Sequence, residues 1–231
     1  MTARYSIEVF ACSYFGIALT LQGYVNSIVD CTIVAFYGQC ELQLKLLRYN
    51  LEHLTDLDDV DLQEGTINEN TLSYIDDNLI KKRLVHCVKH HQKIIWFLSE
   101  TQSISNEFVT LQLSVACWTI CMSVYKLVTV DMFSGEFFLT IGYLNCMLMQ
   151  FFMYCYHGSQ VLVESEFIAE SAYCSNWVDI SPRSRRLLLI FMMCCTRPLV
   201  ICAAKIVPIN LESYLAVLKA SYTLFTILHK K

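Results

Sequence analysis

From Phe10 to Tyr37 the sequence is apolar except at Gln22, Asn26 and Asp30. About 20 such residues suffice to carry a helix across a bilayer, so a chain with this run must hide it in lipid or in other protein. Phe108–Val128 and Phe137–His157 repeat the property. The last stretch, Asn210–Leu228, has 19 residues, about 28 Å as a helix at 1.5 Å per residue. It carries Glu212 near its start and Lys219 near its middle. Lipid on every side would disfavour a mid-span lysine, so one face of this helix meets protein or water. Four crossings are therefore expected, at roughly 10–37, 107–128, 137–157 and 209–228. The hydrophobic share of 55% and the mean hydropathy of +0.43 agree with that density of apolar runs. Only seven glycines and three prolines punctuate the chain, which favours long helices over a turn-rich β fold.

The segments between the runs have their own character. Beyond Tyr37, leucines at 42, 44, 46, 47, 51 and 54 fall mostly on one helical face, with Lys45, Arg48 and Glu52 elsewhere. That is an amphipathic rod continuing the first crossing out of the bilayer. Asp30, near the inner end of that crossing, is read as a structural hydrogen-bond partner or as a ligand group. Thr55–Leu79 holds eight acids and no lysine or arginine; with no calcium-loop spacing it reads as a solvated loop. Ile80–Val128 opens on Lys81-Lys82-Arg83 and continues as one long helical pattern. The segment after His157 runs out as another amphipathic rod ending near Trp177. Ser181-Pro182 has the serine N-cap and first-turn proline of a new helix, which Arg197-Pro198 interrupts.

Several function classes lose support. No basic block of the kind that tracks phosphates is present, which leaves nucleic-acid binding without a footprint. No Ser/His/Asp order, glycine-rich phosphate loop or apolar carboxylate pair is found, so the chain is not read as an enzyme and no cofactor is implied. His86, Cys87, His90 and His91 offer i, i+4 pairs that suit zinc, but no carboxylate or fourth ligand accompanies them. The alternative is a packed or solvated helix face, and no metal site is assigned. The twelve cysteines are scattered with no CxxC pair and read as small buried hydrophobes. The N-terminus shows no basic region or small-residue cleavage site of a signal peptide.

Charge orients the spans. Of the 17 lysines and arginines, twelve lie within 38–106 and 158–208. Arg4, Lys126, Lys230 and Lys231 lie on the other side, and Lys219 lies within a span. Positive residues gather on the cytoplasmic side, so both long polar regions are expected there and both chain ends outside. An outward C-terminus opposes the rhodopsin-like receptors, whose Asp-Arg-Tyr and Asn-Pro-x-x-Tyr motifs are also missing.

Three stretches then carry a resemblance. They are LVHCVKHHQKIIWFLSETQSISNEFVTLQLSVACW (Leu84–Trp118), QFFMYCYHGSQVLVESEFIAESAYCSNW (Gln150–Trp177) and RPLVICAAKIVPINLESYLAVLKASYTLFTIL (Arg197–Leu228). In order and spacing they closely resemble the insect odorant receptors. The resemblance implies an all-α membrane protein whose long transmembrane helices extend into a cytoplasmic helical anchor. Its inverted topology agrees with the charge count. Four spans match the last four of that family's seven, so the chain reads as a C-terminal fragment lacking helices one to three. The implied organisation is a transmembrane helix with cytoplasmic extension (1–54), an acidic cytoplasmic loop (55–79), a cytoplasmic-to-transmembrane helix (80–128) and an extracellular turn (129–136). A second transmembrane helix with extension (137–177), an anchor helix (181–208) and a pore-lining helix (209–231) follow.

The resemblance further implies an odour-tuning subunit that binds small apolar volatiles. With the shared odorant coreceptor it would gate a non-selective cation channel in the cell membrane of olfactory sensory neurons. Leu218, Ser221, Tyr222 and Phe225, at i, i+3, i+4 and i+7 of the last helix, form the expected pore stripe; plain helix packing is the alternative. Lys219 before Ser221 is common among tuning subunits and argues against the coreceptor itself. Tyr14, Phe15 and Ala18 of the first span and Phe138 and Tyr143 of the third are the expected ligand contacts, with helix packing again the alternative. With helices two and three missing, that pocket would be incomplete and the chain by itself silent to odorants. Ala204 departs from the family, which often has glycine before the lysine. A gustatory-type receptor is the nearest alternative, but its Thr-Tyr order is reversed at Tyr222-Thr223 and no Gln-Phe follows. A transporter or structural membrane protein is the other, and no internal repeat supports it.

Overall fold

The computed structural model describes residues 2–55, 69–130, 134–204 and 206–229. Among them the helices run α1 (Thr2–Glu52), α2 (Glu69–Thr129), α3 (Gly135–Glu166), α4 (Ile168–Cys174), α5 (Pro182–Cys194) and α6 (Leu211–His229). A 3-10 turn at Trp177–Asp179 precedes α5, and β1 (Cys202–Ala203) pairs antiparallel with β2 (Val207–Pro208) before α6. With 51 and 61 residues, α1 and α2 are about 75 and 90 Å long. That is far more than the ~30 Å hydrocarbon core of a bilayer. Stretches of α1, α2 and α3 are long and apolar enough to cross a membrane. The fold is that of an all-α membrane protein.

Contacts divide the chain into two compact units, Met1–Phe36 and Tyr37–Lys231. In the first, every side chain from 13 to 25 is exposed, including Tyr14, Phe15, Leu19 and Tyr24. Three of its hydroxyls are satisfied by carbonyls of their own helix: Ser13 donates to Phe10, Thr20 to Gly16 and Ile17, and Thr32 to Ile28. Such internal satisfaction is what an apolar medium demands. The Asn26 amide donates to the Asp30 carboxylate at 3.3 Å, so Asp30 has the structural hydrogen-bond role within its helix.

In the second unit, the amphipathic end of α1 buries Leu44, Leu47 and Leu51 almost completely, and Leu54 just beyond it is buried too, while Leu42 and Leu46 stay exposed. The polar side of the same segment builds an ion network. Arg48 donates from Nη1 to Glu164 Oε2 at 2.6 Å and from Nε to Ser171 Oγ at 3.1 Å. The Ser171 hydroxyl donates to Glu52 at 2.7 Å, and the Arg48 guanidinium lies 5.1 Å from the Phe167 ring centroid. Glu41 pairs with Lys45 at 2.7 Å and with His157 Nδ1 at 3.2 Å. Glu164 is only 8% exposed, a position a carboxylate occupies as an ion only with its cation beside it.

The structure differs from the sequence expectation at several boundaries. Of the expected loop 55–79, residues 56–68 lie outside the described residues, and 69–79 are already helical in α2. The expected helix 137–177 breaks at Phe167, which ends α3 with φ −78° and ψ −4° before α4 begins. The expected anchor helix 181–208 is helical only through Cys194. Pro198 has no N–H to give and drives Arg197 toward an extended conformation, and the hairpin follows. At its start the Ser181 hydroxyl accepts from Ser184 N at 3.4 Å with Pro182 in the first turn.

Arg48→Met leaves Glu164 without its nearest cation and is expected to cost about 2–3 kcal/mol. Thermal unfolding in detergent checks this; an unchanged Tm would show that the pair holds nothing together.

Candidate functional site

The most constrained local geometry is the root of α6. Ala203 pairs with Val207 across a tight reversal, and between them Ala204 has φ 52°. This is the left-handed region that a side chain enters at about 1 kcal/mol and glycine enters freely. The Ala204 N–H is held by the Thr110 hydroxyl of α2 at 2.7 Å. Ile209 N donates to Ile201 O at 2.8 Å. A Cβ at Gly158 of α3 would stand 2.1 Å from the Ile209 carbonyl oxygen, so only glycine lets these backbones meet. Asn210 then accepts from Ser213 N at 2.9 Å, and the Ser213 hydroxyl donates to Pro208 O at 2.7 Å. The first of these caps α6 at its N-terminus, and the second ties that turn back to β2.

From that root α6 packs on α2 and α3. Tyr214 sits with ring centroids 5.5 Å from both Phe151 and Phe152. Its inward side carries Tyr214, Val217, Leu218 and Phe225, all half-buried, and Ser221, which is buried. Its outward side exposes Leu215, Lys219, Tyr222 and Thr226. The expected stripe therefore straddles the edge of the packed face. Leu218, Ser221 and Phe225 lean on the chain's own helices, while Tyr222 is 71% exposed. The Ser221 hydroxyl is taken by Val217 O at 2.9 Å.

The expected ligand contacts fall in two places. Tyr14 and Phe15 are exposed and edge-to-face with centroids 6.2 Å apart, and Ala18 is exposed one turn on. Phe138 and Tyr143 are exposed on α3, Phe138 lying edge-on to Phe137 at 5.8 Å. The histidines of α2 take separate partners. His90 Nε2 meets Gln43 Oε1 at 2.9 Å, His91 lies edge-on to Phe191 at 5.4 Å, and His86 is exposed. The eleven described cysteines are free thiols. In α5's C-cap, burial and then the neighbouring Cys194 push Cys195 up to about 12, which leaves that thiol inert.

A model of the family described as 7tm odorant receptor matches residues 1–222. The chain belongs to the odorant receptor family. It is 31% identical to putative odorant receptor 69a, isoform A, of Drosophila melanogaster, over 63% of this chain and 36% of that protein. It is 23% identical to odorant receptor Or2 of Anopheles gambiae, over 97% of this chain and 58% of that one. It is 24% identical to the odorant receptor coreceptor of Aedes aegypti over 70% of this chain. The chain thus spans between a third and three fifths of these relatives' lengths. Its fold resembles that of the olfactory receptor OR5 of Machilis hrabei, solved in complex with eugenol. The TM-score is 0.60 at 14% identity, over 89% of this chain and 69% of that one.

Within this chain, sequence reasoning missed Gly158 and the Arg48–Glu164 pair. No local signal marked the first, because Gly16, Gly23 and Gly142 are equally lone helix glycines yet face open space. Gly158→Ala is expected to destabilise the protein by about 2 kcal/mol or more through overpacking. Ala204→Gly should stabilise it by up to about 1 kcal/mol. Melting curves of the two variants moving in the same direction would refute this account of the root.

Proposed function

We propose that the chain acts as an odour-tuning subunit of a ligand-gated, non-selective cation channel, assembled with the odorant coreceptor in the membrane of olfactory sensory neurons. The odorant receptor match over 1–222 is the observation that carries this reading. In the proposed topology 38–106 and 158–208 are cytoplasmic, 129–136 is an outer turn and the C-terminus is extracellular, as the lysine and arginine bias requires. Lipid surrounds the exposed apolar faces of α1, α2 and α3. Ligands are small apolar volatiles, a class to which the eugenol of the Machilis hrabei complex belongs. Tyr14, Phe15, Ala18, Phe138 and Tyr143 supply aromatic and small surface for them.

The last helix lines the ion path in this reading. Tyr222 is the member of the expected stripe that the chain's own packing leaves outward, in line with Lys219 and Thr226. Leu218, Ser221 and Phe225 flank it. An outward lysine on a membrane-length helix is accommodated by water, as an ion path provides.

The test is co-expression with an insect odorant coreceptor. The two chains should co-purify as one complex. In the coreceptor complex, a cationic thiol reagent should change the membrane conductance of Tyr222→Cys and leave that of Val217→Cys as it was. Failure to co-purify, or identical responses at 222 and 217, would overturn the proposal.

A further inference from the structure

The ion network between α1 and α3 forms a continuous series of charges. His157 Nδ1 lies 3.2 Å from Glu41 Oε2, and the other oxygen of Glu41 holds Lys45 Nζ at 2.7 Å. Lys45 also stands 4.0 Å from Glu164 Oε1, whose Oε2 takes Arg48 Nη1 at 2.6 Å. Arg48 Nη2 ends the series 4.0 Å from Glu52 Oε1. From His157 to Glu52 the groups alternate in sign when the imidazole is protonated. Three carboxylates then face three cations; with a neutral imidazole only two cations remain. His157 is the member of the series whose side-chain type changes charge between pH 5 and 8. Its side chain is 19% exposed and that of Glu41 14%, so water screens this pair less than a surface one. The ring lies against α1, where a Cβ on Gly38 would stand 3.6 Å from its Cε1.

We infer that His157 is a proton-sensitive clasp between α1 and α3, which cytoplasmic acid tightens and alkali loosens. It goes beyond the channel reading and leans on it only for the side of the membrane. The neutral ring can keep its hydrogen bond to Glu41 through the Nδ1–H tautomer, but only the imidazolium adds the third cation. Lys45 shares Glu41 and repels that imidazolium; its side chain is 48% exposed, which screens the repulsion. On its own helix, Tyr156 lies edge-on to the ring at 5.3 Å. Of the other helices packed on α3, α6 brings Tyr214 onto Phe151 and Phe152, and α2 brings Cys117 toward Cys155. Phenols and thiols ordinarily titrate above pH 8, so neither follows histidine. His90 of α2 meets Gln43, which stands about 200° round α1 from Glu41. Burial, and then His86 and Lys93, disfavour the charged form of His90. Gly158, the residue after His157, is where α3 touches the Ile209 carbonyl, so the clasp bears directly on the root of α6.

Melting of the full chain in detergent micelles at about pH 6 and about pH 8, toward the two ends of histidine's range, tests the clasp. A histidine that gains a carboxylate partner on folding adds stability that is present at low pH and lost as pH rises. The Tm at the lower pH minus that at the higher pH is the acid gain. It should be larger in the wild type than in His157→Gln by about 2–4 °C, and Glu41→Gln should lose the same increment. The two substitutions remove opposite partners, so if one variant fails to fold the other still decides. An acid gain kept at its wild-type size in either folded variant would overturn the proposal. A Tm lowered equally at both pH values would assign the contact to packing alone and overturn it too. Co-purification with the coreceptor is a separate readout, so failure here does not touch the channel reading.

Discussion

A carboxylate withdrawn from water stays ionised only if cations are built around it, and Glu164 has Arg48 at 2.6 Å and Lys45 at 4.0 Å. Both cations come from the end of α1, more than a hundred positions away in the chain. Neither side of the arrangement is free to slide. Moving α1 by one turn would bury Leu44 and Leu47 differently and pull Arg48 from Ser171 and Glu52 as well. The network is a register pin, and the leucine face beside it supplies the burial that offsets the desolvation.

The same short length of α3, from His157 to Glu166, meets the end of α1, the segment after α5 and the root of α6. His157 reaches Glu41, Gly158 meets Ile209 at the root of α6, and the Ser165 hydroxyl accepts from Leu199 N at 2.9 Å. The Phe167 break then turns α4 so that Ser171 closes the circuit to Arg48 and Glu52. Position and direction of α6 are thus set from below, by backbone contacts that tolerate no extra atom. Its upper turns, by contrast, leave Leu215, Lys219, Tyr222 and Thr226 open to whatever the assembled protein places there.

Much of this was legible in the sequence because apolar runs and leucine faces are local patterns. The membrane-length helices of α1, α2 and α3, the leucine rod after Tyr37 and the Ser181-Pro182 start of α5 follow from composition and spacing. What could not be read depends on contacts between distant positions. Nothing around Arg48 names Glu164 as its partner, and nothing around Gly158 names Ile209. The expected stripe on α6 had the right period, but its phase against α2 and α3 is a tertiary fact, which is why Ser221 and Tyr222 fall on opposite sides of the packing edge. The interruption at Arg197-Pro198 was legible as well, whereas the break at Phe167 between α3 and α4 was not.

The central claim, that the α1–α3 ion pair pins the register of the second unit, is most directly tested by a double-mutant cycle. Arg48→Met, Glu164→Gln and the double variant are unfolded reversibly in mixed micelles and their stabilities compared. The account predicts a coupling of about 1 kcal/mol or more between the two positions. Strictly additive losses would contradict it, and would leave the leucine face alone to hold α1 in place.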